Sequence, residues 1–308
     1  MSEPYDYDLI CIGSGPAGQR CAVQAAKFGK RVALLEKRRT VGGVCLETGT
    51  IPSKTFREAV RSFTVQRSYD SGLGFAPRVK PDVRQLVKRV NDVIQHETAV
   101  QTDQMQRNDV NIVRGNATFD EPHSLLIETD SGSRTLTAQY IMVAVGSRPA
   151  SPPNIEADGR SVILSDGLMN LDKLPRTMAV VGAGVIGLEY ASMFAALGIE
   201  VTVVDKRKRP LEFLDTEIID ELIHQLRDMR VTFRLDEAVK SLQVIGNGKS
   251  HVRLELESGK HIVADLVLYS IGRQGATDEL NLPSAGLQSD GRGRLNVDEY
   301  FRTKEEHI

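Results

Sequence analysis

Tryptophan is missing from the 308 residues and aromatic side chains make up only 5% of them, against 26 glycines. Glycine is used where a Cβ would be in the way, so this balance points to backbone, rather than rings, approaching something closely. Cysteine occurs three times, as Cys11, Cys21 and Cys45. An odd number without a Cys-x-x-Cys pair or zinc-ligand spacing excludes a disulfide scaffold and a structural metal site, and it fits a reducing compartment. An excess of positive charge is also lacking. With 39 basic and 41 acidic residues the net charge is -2, which leaves no overall field to hold nucleic acid, so any basic site must be local. The most apolar stretch, Met178 to Val204, is broken by Glu189 and four glycines, so no membrane helix is expected. The polar, acidic N-terminus shows neither a signal nor a transit peptide, and a cytoplasmic protein is expected.

What is present is the composition of a globular chain, 41% apolar and 26% charged, of a length suited to about two domains. Tyr7 to Ile12 is a short apolar run, followed by a glycine-rich turn, an alanine-rich segment to Phe28, and a second apolar run, Arg31 to Leu35, ending at Glu36. This reads as β-α-β. From Asp82 to Asn108 the apolar residues Val83, Leu86, Val87, Val90, Val93 and Ile94 recur at helical spacing. Strand-like runs follow at Val110 to Val113, Ser124 to Ile127, Ser133 to Thr137 and Tyr140 to Val145. The proline-rich Arg148-Pro149-Ala150-Ser151-Pro152-Pro153 marks a domain boundary. The β-α-β pattern then restarts, with Thr177 to Val181 as strand, Leu188 to Leu197 as helix, and Glu200 to Val204 as strand ending at Asp205. Later runs, among them His251 to Leu256 and Asp265 to Tyr269, complete an α/β module, and Gly291 to Ile308 reads as turn and strand leading elsewhere.

Each β-α-β unit carries a Gly-x-Gly-x-x-Gly turn between strand and helix: Gly13-Ser14-Gly15-Pro16-Ala17-Gly18 and Gly182-Ala183-Gly184-Val185-Ile186-Gly187. One such motif is weak, whereas two in full context, each followed by an acid at the end of the next strand, are strong. The first glycine makes the turn, the second admits a pyrophosphate, and the third lets the helix pack on the strand. Glu36 and Asp205 stand where a carboxylate accepts hydrogen bonds from an adenosine ribose. Two dinucleotide sites imply electron transfer between them, most economically FAD in the first and a nicotinamide nucleotide in the second.

The segment Gly42-Gly43-Val44-Cys45-Leu46-Glu47-Thr48-Gly49-Thr50-Ile51-Pro52-Ser53-Lys54 resembles the active-site segment of the pyridine nucleotide-disulfide oxidoreductases, the family of lipoamide dehydrogenase, glutathione reductase and mercuric reductase. In those relatives two cysteines separated by four residues form a redox disulfide; here the first is Cys45 and the second position is Thr50. A dithiol cannot form from this pair. The substitution, with Arg57-Glu58-Ala59-Val60 and Gly187-Leu188-Glu189-Tyr190, is similar to the soluble transhydrogenase branch of the family. The resemblance spans Tyr5 to Ile308. It implies an α/β fold of two Rossmann-like FAD/NAD(P)-binding domains, the second inserted into the first: residues 1–149 with 273–308, and 150–272. It also implies hydride transfer from NADPH through FAD to NAD, with NADPH and NAD as substrates.

On the same resemblance, Gly13, Ser14, Gly15, Pro16 and Ala17 cradle the FAD pyrophosphate, and Glu36 and Lys37 meet its adenosine. Gly43, Val44 and Cys45 pass beside the flavin, and Thr50 stands in the place of the lost sulfur. Lys54 reaches the flavin edge, where an ammonium stabilises negative charge. Gly115-Asn116-Ala117 looks like the turn that touches the adenine. Gly146 and the pair Gly272-Arg273 look like the crossings between domains. Gly182, Gly184, Val185, Ile186 and Gly187 cradle the nicotinamide nucleotide. Glu189, read as lying in the first turn of its helix, is expected to pair with Lys54 rather than serve only the helix dipole. In Asp205-Lys206-Arg207-Lys208-Arg209, Asp205 suits the 2′-hydroxyl of NAD, while Lys206 or Arg207 suits the 2′-phosphate of NADP. A one-cysteine oxidase or peroxidase using Cys45, and a non-catalytic nucleotide-binding module, are the competing readings. Members of the family continue into an aromatic-Ala-x-Gly-Asp FAD motif and a C-terminal dimerisation domain. Both are expected to be lacking here, with weak FAD binding and loss of the homodimer as the consequence.

Overall fold

The computed structural model describes residues 4–72, 82–152, 155, 157–245 and 251–308. In chain order the first half comprises β1 (Tyr7–Ile12), α1 (Pro16–Lys27), β2 (Val32–Glu36), α2 (Gly43–Glu47), α3 (Thr50–Gly72), α4 (Val83–Arg107), β3 (Asn111–Arg114), β4 (Asn116–Glu121), β5 (Ser124–Thr129), β6 (Gly132–Val143) and β7 (Ser147–Pro149). The second half comprises β8 (Val162–Leu164), β9 (Thr177–Val181), α5 (Val185–Ala196), β10 (Glu200–Asp205), α6 (Thr216–Asp228), β11 (Thr232–Leu235), β12 (Val239–Ile245), β13 (His251–Leu256), β14 (His261–Ala264), β15 (Leu266–Tyr269) and β16 (Arg273–Gly275). These elements form two compact units, one from the chain up to Ile51 with Asp92–Arg148 and Gln274–Ile308, the other from Pro52–Asn91 and Pro149–Arg273.

The first unit is built on a six-stranded sheet ordered β3-β2-β1-β6-β5-β4. The runs expected at Ser133 to Thr137 and Tyr140 to Val145 are one strand, β6. Its first half pairs antiparallel with β5 and its second half parallel with β1, from Tyr7↔Ala138 to Ile12↔Val143. Thr137 lies at the change of partner, where its amide and hydroxyl donate to the Asp6 carboxylate. Ile10, Ile12, Leu35, Phe119, Leu125 and Ile127 form the core of this unit, joined by Leu280, Leu282 and Ile308. Gly291 to Ile308 therefore does not lead away as a strand. It makes turns and an isolated bridge, and it docks on β6 through a bond from the Ile141 N–H to the His307 carbonyl. Burial of Ile308 explains the difference, since an apolar side chain gains more in the core than in an exposed strand.

The second unit carries an all-parallel sheet ordered β11-β10-β9-β15-β8 and a three-stranded antiparallel meander, β12-β13-β14. Its central strands, β9, β10 and β15, are apolar runs buried on both faces, as a parallel sheet requires. The stretch Pro52–Asn91, grouped from the sequence with residues 1–149, packs with this second unit. The reason is visible in α3, where the ring of Phe56 lies 6.0 Å from that of Phe194 on α5. The helix expected from Asp82 to Asn108 is α4, with Val83, Leu86 and Val90 on its buried face. No helix among the described residues is long and apolar enough to cross a membrane.

Candidate functional site: two glycine cradles

In the first unit the chain turns from β1 into α1 at Gly13, whose φ of +105° is strained for any residue with a Cβ. A Cβ there would also lie 2.4 Å from the Ala144 carbonyl oxygen. At Gly18 a Cβ would stand 1.9 Å from the Gly13 oxygen, so this glycine lets helix and turn touch. Gly15 differs from both, because a Cβ on it would meet nothing within 4 Å. It is the N-cap of α1 with no side-chain cap, Pro16 follows at the start of the helix, and no acid occupies the first turn. Uncapped amides at a helix N-terminus with open space before them form an anion site.

That space is a 410 Å³ cavity whose lining includes Gly13, Ser14, Gly15, Pro16 and Ala17. Glu36 and Lys37 line it too, with Gly43, Val44, Cys45, Ala117 and Gly146. Glu36 closes the turn. Its carboxylate accepts from the Ser14 amide at 3.1 Å and hydroxyl at 2.5 Å, and from the Arg38 amide at 2.8 Å. The buried Ser14 hydroxyl also accepts from the Gly42 amide at 3.0 Å, which ties α2 to the cradle. Gln19, on α1, donates to the Ser14 carbonyl at 2.6 Å and to Gln101 at 2.7 Å. Lys37 pairs with Glu279 at 2.7 Å. Sequence reasoning places Ser14 in the cradle but not the bonds of its hydroxyl, and it misses Gln19, one residue past the motif, because the partners of both lie far along the chain.

The second unit repeats the design. Gly182 has a φ of +107°, a Cβ on Gly187 would lie 2.0 Å from the Gly182 oxygen, and a Cβ on Gly184 would meet nothing within 4 Å. Gly184 is the uncapped N-cap of α5, which starts at Val185 and Ile186 without an acid in its first turn. Asp205 takes the part of Glu36, accepting from the Ala183 amide at 2.6 Å and the Arg207 amide at 2.8 Å. It also holds the Arg207 guanidinium, at 2.9 Å from Nε and 2.7 Å from Nη2. Burial pushes the Asp205 carboxyl up, but the Arg207 guanidinium and the two amides outweigh it and hold the group below its ordinary range. Lys206 is exposed, Gly272 adopts a φ of +130°, and Arg273 pairs with Asp166 at 3.1 Å. Ser270 is a further residue of the turn, its hydroxyl donating to the Gly182 carbonyl at 3.0 Å.

Cys45 lies within α2, and Thr50 opens α3 with its side chain exposed. Between them the amides of Thr48 and Gly49 both donate to the Val44 carbonyl, which breaks the chain into two helices. Lys54 and Glu189, both in the second unit, form an ion pair. Glu189 is the fifth residue of α5 rather than part of its first turn, so the helix dipole gives it little help, and the pair with Lys54 is its principal support. Cys11 and Cys21 hydrogen-bond to each other. That bond lowers the Cys21 thiol, and with burial it raises Cys11. Among the described residues no cluster of His, Cys, Asp and Glu could hold a metal ion.

Two uncapped glycine cradles, each closed by an acid at the end of the neighbouring strand, have the geometry of dinucleotide-binding turns. The profile of the pyridine nucleotide-disulphide oxidoreductases matches residues 7–308, and the chain belongs to this family. It is 48% identical over 307 residues to the soluble pyridine nucleotide transhydrogenase of Mycobacterium tuberculosis, covering 98% of this chain and 65% of that protein. It is 41% identical over 309 residues to the protein of the same name from Chromohalobacter salexigens, covering 99% and 65%. Among solved structures, the HOCl-induced flavoprotein disulfide reductase RclA from Escherichia coli superposes with a TM-score of 0.86 at 29% identity, covering 98% of this chain and 65% of that one. The chain thus spans about 65% of the length of the curated relatives it matches.

Proposed function

We propose that the chain carries the two nucleotide sites of a soluble pyridine nucleotide transhydrogenase, which passes hydride from NADPH through FAD to NAD. The observation that carries this reading is the open space at Gly15 and Gly184 in two otherwise tightly packed turns. A pyrophosphate fits where a Cβ would point, with the amides of Gly15 and Ala17 in one cradle and of Gly184, Val185 and Ile186 in the other as donors. FAD, when bound, supplies a two-electron acceptor and donor able to serve both nicotinamide nucleotides.

The residues of this chain then divide the work. Glu36 accepts from a hydroxyl of the FAD adenosine ribose, and Ala117 and Lys37 line the adenosine end. Gly43 brings backbone close, since a Cβ on it would lie 2.8 Å from the Gly15 Cα. Cys45 has Thr50 in place of a second thiol, so no disulfide competes for the hydride. Lys54, oriented by Glu189, is the cation we assign to the negative charge that develops at the redox centre. Asp205, Lys206 and Arg207 receive the 2′ position of the nicotinamide nucleotide. The names and identities of the bacterial relatives support the same activity. The test is a flavin absorbance spectrum of the chain reconstituted with FAD. Bleaching on addition of NADPH and recovery on addition of NAD is the expected result. A chain that takes up no FAD and binds neither nucleotide would overturn the proposal.

A further inference from the structure

The two cradles share a scaffold but treat their acids differently. An ionised carboxylate offers about four in-plane acceptor positions on its two oxygens. Glu36 uses three: the Ser14 amide, the Ser14 hydroxyl and the Arg38 amide. One position stays open for a ribose hydroxyl. The guanidinium of Arg38, two residues on, turns away to pair with Glu47. Asp205 is filled. Its Oδ1 accepts from the Arg207 amide at 2.8 Å and Nε at 2.9 Å, and its Oδ2 accepts from the Ala183 amide at 2.6 Å and Arg207 Nη2 at 2.7 Å. The residue two places after the acid is arginine in both units, yet only in the second does its side chain fold back.

Resting on the nucleotide assignment of the second cradle, we infer that Arg207 is a gate on Asp205 that lets one site accept either 2′ substituent. A 2′-hydroxyl needs an acceptor, so it must displace one arm of the guanidinium from Asp205. A 2′-phosphate repels Asp205 but attracts the guanidinium, so it draws Arg207 off altogether. The two amide bonds to Asp205 remain in both cases, and the turn keeps its shape. The guanidinium is free to move, since the Arg207 side chain is 36% exposed whereas that of Asp205 is 4% exposed. The neighbouring charges fit an exchangeable pair: Lys206 and Lys208 are exposed beside it, and Glu212 is the other acid acting on Arg207.

The inference predicts changes of opposite sign for two nucleotides, which a merely structural salt bridge does not. Arg207→Gln frees two acceptor positions on Asp205, so NADH binding is expected to hold or tighten while NADPH binding weakens about tenfold or more. Asp205→Asn keeps an acceptor for the Ala183 amide and releases Arg207. NADPH is then expected to bind several-fold tighter and NADH several-fold weaker. Calorimetric titration of the full chain and both variants with NADH and NADPH reads these shifts directly, with circular dichroism to confirm folding. Because Arg207 is part-exposed, the glutamine variant keeps the test open if the asparagine variant fails to fold. Equal losses for both nucleotides, or an unchanged ratio, would overturn the gate while leaving the nucleotide assignment intact. Failure of the unmutated chain to bind either nucleotide would overturn the assignment, and the gate with it.

Discussion

Within one fingerprint, alanine at Gly18 and alanine at Gly15 should produce opposite phenotypes. At Gly18 the new methyl falls 1.9 Å from the Gly13 carbonyl oxygen and 3.4 Å from the Ala144 Cβ. The near neighbour is backbone, in a turn already at positive φ, so relief requires α1 to lift from β1. Overpacking of this kind costs about 3 kcal/mol, the upper end of the usual range, because no side chain can rotate away. For a unit of this size that corresponds to a fall of about 6–12 °C in melting temperature. At Gly15 the backbone has φ -67° and ψ 177°, which alanine adopts freely, and the methyl meets nothing. Stability should hold or rise by about 0.4–1 kcal/mol through the less flexible unfolded chain. The methyl would instead occupy the approach of the pyrophosphate. Losing one charge-assisted amide bond weakens FAD binding about 10- to 100-fold. Scanning calorimetry and a flavin titration separate the two effects. If Gly15→Ala melted as early as Gly18→Ala, or bound FAD as well as the parent, the division of labour among the glycines would be wrong.

Three further outcomes are expected. Glu189→Gln should leave the melting temperature within a few degrees, because Lys54 is 59% exposed and such pairs contribute about 0–1 kcal/mol. It should nevertheless slow flavin bleaching by NADPH in stopped flow, and an unchanged rate would remove Glu189 from the orienting role. The Asp290 carboxyl is held down at about 2, first by the Arg294 amide, then by its side chain. Its stabilisation of the turn is therefore present above pH about 4 and lost as pH falls toward about 2. Amide protection at Arg292 and Arg294, relative to the unstructured exchange rate at each pH, should fall across that window, and protection unchanged down to pH 2 would contradict the assignment. Brief iodoacetamide treatment of the native chain near pH 7.5 should label Cys21 well before the fully buried Cys11. Peptide mass analysis showing Cys11 modified first would refute this.

Much of the architecture is legible in the residues because two of its signals are local. The glycine turns announce themselves by motif and context, and the periodicity of α4 places that helix within a residue of its ends. The strand break expected near Thr137 is wrong because polar residues such as Thr137 and Gln139 look like punctuation, whereas in β6 they mark a change of partner. Helix α6, which the sequence reading does not draw, is as legible as α4, with Ile219, Leu222, Ile223 and Leu226 at helical spacing behind the Asp215 cap. At the site, the acids and glycines are readable by position, but the saturation of Asp205 and the turning away of Arg38 are not. Both depend on which neighbour a long side chain finds in three dimensions.

The return of Gln274–Ile308 to the first unit bears on the order in which the protein is made. The turn at Gly13 leaves the ribosome early, yet its strand β1 is paired on one side by β6, and its core is completed by Leu280, Leu282 and Ile308. Synthesis at about 5–20 residues per second leaves roughly 15–60 seconds between Gly13 and Ile308, whereas β6 follows within less than half that time. During that time the parallel sheet of the second unit, from β8 to β15, is already complete in sequence. Until Gln274–Ile308 emerges, the core of the first unit lacks Leu280 and Leu282, although Ala144, which packs on Gly13, is already in place. Chaperone protection should consequently fall on the N-terminal third of the chain, even though that third is translated first.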